Sequence, residues 1–143
     1  MRVTPINEAE AMLDVLWSGY EHVRQPYRLR LAPHARGGFA HTFASLGLTI
    51  ERADPGKPAA TLERECDVRL DGYDTFRMFA TVPSGVRFTI AAQIDGQEQT
   101  LIRDRRGGDT YDEFDGRVRG THMTHLALTL TLARPGPTTV GLS

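Results

Sequence analysis

The sequence holds one cysteine, Cys66, in 143 residues, so no disulfide can form within the chain. A catalytic thiol needs a nearby base and an electropositive setting. Cys66 falls instead in the alternation Leu62, Arg64, Cys66, Val68, Leu70, which turns it toward a core, where a thiol behaves as a small apolar group. No apolar run approaches the length of a membrane helix or a signal sequence. That reading leaves a cytosolic protein, or a piece of an exported one whose signal has been removed, with no membrane partner. An excess of charge is also missing: the formal net charge of −1 removes the electrostatic case for nucleic acid. Lys57 is the only lysine and Trp17 the only tryptophan. No nucleophile elbow, phosphate loop, HExxH pair or zinc-ligand spacing occurs, so the sequence offers no catalytic residue, metal ligand or cofactor site.

What the chain does have is alternation. Phe76, Met78, Ala80 and Val82 stand against Arg77, Phe79 and Thr81. Val86, Phe88, Ile90, Ala92 and Ile94 repeat the pattern, and Leu126, Leu128, Leu130 and Leu132 do so against Ala127, Thr129 and Thr131. A period of two marks half-buried strands, because successive side chains point to opposite faces. Strands sharing one apolar face need a second layer to cover it. The expected fold is therefore all-β: an antiparallel β-sandwich of jelly-roll type with about eight to nine strands. The chain is long enough to bury such a core without disulfides.

Residues 7–20 read differently. Asn7 and Glu10 form an approximate capping box, and Met12, Leu13, Leu16, Trp17 and Tyr20 fall on one helical stripe. This short N-terminal helix either caps an open end of the sandwich or offers Trp17 and Tyr20 to a neighbouring domain or second subunit. The organisation expected is one domain over 1–143, with the helix at 7–20 and the sandwich at 26–143. Residues 34–38 read as a turn before a strand at 39–46. Asp95-Gly96 is a strong hairpin signal. Residues 103–115 read as a charged, glycine-containing loop. The end at residues 141–143, in or just after a strand, suits a domain cut from a longer protein.

His122 and His125 are three apart, which in an unbroken strand sends them to opposite faces. The acids Asp109, Asp112, Glu113 and Asp115 could offer oxygen ligands to calcium. However, Arg103, Arg105 and Arg106 lie close by and no ligand spacing is recognisable, so a loop neutralising its own charges is expected. The outward faces carry more. Arg77 and Phe79 share one side of their strand, Tyr73 opens it, and Arg87, Thr89 and Gln93 have the same outward parity on the next. Aromatic rings can cover the apolar face of a sugar while guanidinium groups bind hydroxyls or carboxylates. The candidate ligand-binding residues are thus Tyr73, Arg77, Phe79 and Arg87.

The phrase Asp67-Val-Arg-Leu-Asp-Gly-Tyr-Asp-Thr-Phe-Arg-Met-Phe79, with Val82-Pro-Ser-Gly-Val-Arg-Phe-Thr89 and Ile94-Asp-Gly-Gln-Glu-Gln99, resembles galactose-binding-like jelly-roll domains. More narrowly it is similar to the non-catalytic sandwich modules attached to heparinase-type polysaccharide lyases and to glycoside hydrolases. The resemblance covers residues 62–143. It implies an accessory module that binds an oligo- or polysaccharide, acidic ones included, beside a catalytic domain of a polysaccharide-degrading enzyme. A protein-interaction domain working through the Trp17 helix or a sheet edge is the alternative, and a small lyase or hydrolase built on the acidic loop is a third. Gathering of Tyr73, Phe79 and Tyr111 on one open face would favour sugar.

Overall fold

The computed structural model describes residues 2–5, 27–41 and 46–142, which form eleven strands. They are Arg2–Pro5 (β1), Tyr27–Leu31 (β2), Arg36–His41 (β3), Leu46–Arg52 (β4), Pro58–Arg69 (β5), Tyr73–Thr81 (β6), Val86–Ile94 (β7), Gln97–Arg106 (β8), Tyr111–Arg117 (β9), His122–Leu132 (β10) and Thr138–Leu142 (β11). All pair antiparallel in two sheets. One sheet runs β3-β4-β11-β6-β9, with β1 also on β6; the other runs β2-β5-β10-β7-β8. This is the jelly-roll sandwich that the alternation called for. The helix expected at 7–20, with Trp17 and Tyr20, lies outside the described residues.

The core follows from the period of two. Phe76, Met78 and Ala80 of the first sheet face Phe88, Ile90, Leu126, Leu128 and Leu130 of the second, all buried. Phe88 meets Phe114 edge to face across the sandwich, with ring centroids 4.9 Å apart. Cys66 is half-buried against this cluster.

The structure departs from the sequence reading in four places. Residues 103–115 are largely strand: β8 continues to Arg106 and β9 begins at Tyr111. β9 pairs only with β6, and Phe114 is its one buried side chain, so it shows little hydrophobic alternation. β1 is likewise absent from the expected count. β3 starts at Arg36, inside the expected turn, and ends at His41, short of the expected strand end at 46, where β4 begins. Finally, β6 and β7 follow each other in sequence but belong to different sheets. The connection at residues 83–85 carries the chain across the sandwich.

Gly116 lets the two sheets close along one edge. A Cβ added there would lie 2.2 Å from the Leu101 carbonyl oxygen of β8, a backbone atom that cannot swing away. Gly116→Ala is therefore expected to destabilise by about 1–3 kcal/mol, as overpacking does. A thermal melt should show it as a fall of several degrees.

The β7–β8 hairpin turns on Asp95 and Gly96, whose φ angles of 52° and 79° are the pair of positive values a type I′ turn requires. The Asp95 carboxylate then ties this turn to the start of β10. It accepts from Thr121 Oγ1 at 2.7 Å, Thr121 N at 2.9 Å and His122 N at 3.1 Å. These bonds, Thr121's first, hold its pKa below the ordinary carboxylate value. A lowered folded-state pKa contributes stability above the unfolded value, near pH 4, and loses it as the pH falls through the folded one. Asp95→Asn keeps the turn conformation and one acceptor but loses the charge. It should melt below wild type at neutral pH, with the gap narrowing below about pH 4. A gap of constant size would contradict this role.

Candidate functional site

The outward face of β6 and β9 gathers the only mixed aromatic and charged surface that the sequence pointed to. Antiparallel register sets Thr75 beside Arg117, Arg77 beside Asp115, Phe79 beside Glu113 and Thr81 beside Tyr111. Paired residues share a face, so all of these project away from the core. Phe79 and Tyr111 lie on the diagonal, their rings stacked at 6.0 Å with planes 15° apart. Phe79 is half-buried, whereas Tyr111 is 63% exposed. Among the described residues Leu31 is the only other large hydrophobic side chain that is exposed, and at 36% it is much less open.

Arg77 stands next to this pair and is held from two sides. Its Nε lies 2.8 Å from Glu113 Oε1 and 3.3 Å from Asp115 Oδ1. A guanidinium carries its donors in a fixed fork, so such a clamp orients it on the sheet surface. Beyond it a recess of about 440 Å³ is lined by Asp74, Thr75, Arg77, Asp115, Gly116 and Arg117. Arg117 Nη1 reaches Asp74 Oδ2 at 3.6 Å across its rim. The surface thus offers an apolar shelf beside fixed donors and acceptors.

Two of the four expected site residues, Arg77 and Phe79, are together here. Tyr73 is not: it packs partly buried against the core at the start of β6. Arg87 is on the other sheet, where its Nη1 meets Asp104 Oδ2 at 3.2 Å. Its outward parity matches that of Arg77, but the chain has crossed the sandwich between them, so the two project in opposite directions. Thr89 and Gln93 of β7 go with Arg87. Glu113 and Asp115 were hidden by reading 103–115 as a loop. In β9 Tyr111, Glu113 and Asp115 share the outward face, and Phe114 alone is buried on the other.

The acids of that segment have separate partners. Asp109 Oδ1 accepts from Ser84 N at 2.7 Å, and that backbone bond, helped by Arg106 nearby, holds its carboxyl below the ordinary value. Asp112 Oδ2 accepts from Thr110 Oγ1 at 2.9 Å. Among the described residues no three His, Cys, Asp or Glu side chains form a group suited to a metal ion. Calcium should accordingly leave the melting temperature unchanged; a rise on adding it, absent in Asp112→Ala, would show that these acids are ligands after all.

His122 and His125 also depart from expectation. A β-bulge between Met123 and His125 adds a residue to the count, so both imidazoles emerge on the outer face of β10. His122 pairs with Asp67 and His125 Nε2 lies 3.2 Å from Glu63 Oε2.

No protein-family model matches the chain. No curated protein matches it either. Solved structures do. The chain is similar to a family 11 carbohydrate-binding module of a cellulosomal cellulase of Clostridium thermocellum, at 4% identity and a TM-score of 0.55, over 100% of this chain and 90% of that one. It is also similar to the CBM22-1 xylan-binding domain of Paenibacillus barcinonensis, at 14% identity and a TM-score of 0.51, over 91% and 90%. A third is a CBM61 module solved with β-1,4-galactotriose, at 12% identity and a TM-score of 0.50, over 82% and 84%. At such identities the likeness is one of fold.

Proposed function

We propose that this chain is a non-catalytic carbohydrate-binding module whose glycan lies on the Phe79–Tyr111 shelf. The observation that carries the reading is the exposed Tyr111 ring stacked on Phe79 beside a clamped arginine. Burying an apolar ring face contributes by area removed from water. The fixed polar groups beside it then select hydroxyl positions. Because two carboxylates flank Arg77, the face carries no surplus positive charge, and it suits neutral glycans better than acidic ones. The xylan and galactotriose of the similar structures are glycans of that kind.

Glu113 and Asp115 do not suggest hydrolysis. Both are clamped to one arginine on an open sheet surface, and neither lines an enclosed cleft in which a water could be activated. In this reading the module works beside the catalytic domain of a polysaccharide-degrading enzyme, holding it on its substrate. A glycan array of neutral β-linked and acidic polysaccharides tests it. Retention of a neutral xylan, glucan or galactan is expected, and no binding to any neutral glycan would overturn the reading.

A further inference from the structure

Three Asp-Gly pairs occur in the chain, at residues 71–72, 95–96 and 115–116. Such a pair carries a latent reaction between the aspartate side chain and the backbone that follows it. The amide nitrogen of the glycine attacks Cγ of the carboxyl group. A C–N bond forms, the C–OH bond of the carboxyl breaks, and water leaves behind a five-membered succinimide. Water then opens the ring at the former main-chain carbonyl, giving isoaspartate with no net change in composition. Glycine is the best successor, because it has no Cβ to obstruct the approach and its backbone rotates freely. A folded protein permits the step only where the carboxyl is unengaged and the backbone can open locally.

The three pairs differ in just these respects. The Asp95 carboxylate is occupied, accepting from Thr121 Oγ1, Thr121 N and His122 N, all within 3.1 Å. Attack by Gly96 requires those bonds to break. At Asp115 the backbone is locked as well. Both residues of that pair lie in β9, in register with Arg77 and Phe76 of β6, and Asp115 Oδ1 is 3.3 Å from Arg77 Nε. Gly116 is pressed against β8, where even a Cβ would come within 2.2 Å of the Leu101 carbonyl oxygen, so the chain has no room to pivot.

Asp71 and Gly72 have neither protection. Both are exposed, in the turn that carries the chain from β5 of one sheet to β6 of the other. No donor among the described residues holds the Asp71 carboxylate. Gly72 has a φ of 80°, and no heavy atom lies within 4 Å of where a Cβ would project. One backbone hydrogen bond closes the turn, from Tyr73 N to Leu70 O at 2.8 Å.

We infer that Asp71 is a modification site, the position at which this chain spontaneously forms isoaspartate, and that the change loosens the crossing between the two sheets. Isoaspartate runs the main chain through the side-chain methylene, which lengthens the turn by one carbon. A turn closed by the Tyr73–Leu70 bond cannot keep its register after that. The strand it starts is β6, whose Phe76 is fully buried three residues beyond Tyr73. The inference is independent of what the Phe79–Tyr111 shelf binds.

Storage of the folded protein for weeks at neutral pH, well below its melting temperature, tests this. The three pairs fall in separate tryptic peptides, residues 70–77, 88–103 and 107–117, and electron-transfer fragmentation distinguishes isoaspartate from aspartate. Isoaspartate should accumulate at Asp71 and stay at its starting level in the other two peptides. In urea, with the fold's protection gone, all three pairs should gain it at comparable rates. The aged protein should melt roughly a few degrees below fresh protein. Asp71→Glu keeps the charge but must close a six-membered ring, which is slower. It should melt like wild type when fresh and stay unchanged on storage. The inference is overturned if Asp71 gains no more isoaspartate than Asp95 and Asp115 in the folded protein, or if its lead persists undiminished in urea. It is overturned equally if Asp71→Glu loses melting temperature on storage as wild type does.

Discussion

Tyr111→Ala is expected to weaken neutral-glycan binding by roughly ten- to a hundredfold while the fold stays intact. The ring is 63% exposed, so its removal opens no cavity in the core. What is lost inside the protein is the stack on Phe79, worth about 0.5–1.5 kcal/mol at most. What a ligand loses is the apolar cover over its ring face. Covering an aromatic side chain contributes about 1.5–3 kcal/mol, and each 1.4 kcal/mol is a factor of ten in affinity. Phe79→Ala should act in the same direction. It will also disturb the shelf, because Phe79 holds Tyr111 in place. Titration calorimetry beside a melting curve separates the two effects. Undiminished affinity in Tyr111→Ala would remove the shelf from the account.

The largest effect on stability is expected from Phe88→Ala. Phe88 is 1% exposed, and its contact with Phe114 joins the second sheet to the edge strand of the first. Truncating a buried phenylalanine costs about 3–5 kcal/mol, from lost transfer energy and the cavity left behind. Total stabilities run to about 5–15 kcal/mol, so this single change removes a large share. The melting temperature should fall by on the order of ten degrees or more. Phe114→Ala, nearer the surface, should cost less. Made together, the two changes should cost less than their sum, since the edge-to-face pair can be lost only once. Strict additivity would mean that the rings are not coupled.

Much of the fold was legible because the core strands obey a simple rule. Over residues 76–82, 86–94 and 126–132 every second residue is apolar, and each of those residues is buried. The type I′ turn at Asp95-Gly96 was legible for an equally local reason, since few residues tolerate positive φ. The edge strand β9 was not, because its single buried residue, Phe114, leaves no alternation to find. Sheet membership was hidden as well. Parity says which residues share a face of one strand, but not whether a short connection stays in the sheet or crosses the core. That is why Arg77 and Phe79 were placed together while Arg87 was assigned to the wrong surface. The bulge in β10 had the same effect on His122 and His125: one extra residue reverses the parity, and no side chain announces it.

The central claim is that a neutral glycan binds on the outer face of β6 and β9. A titration of the isotope-labelled protein with xylohexaose and cellohexaose, followed by amide chemical shifts, tests it most directly. The account predicts saturable shifts centred on Arg77, Phe79, Tyr111 and Glu113, with Ala91, Ala127 and His125 on the opposite sheet unmoved. Shifts confined to the opposite sheet, or no saturable shift with either sugar, would contradict it.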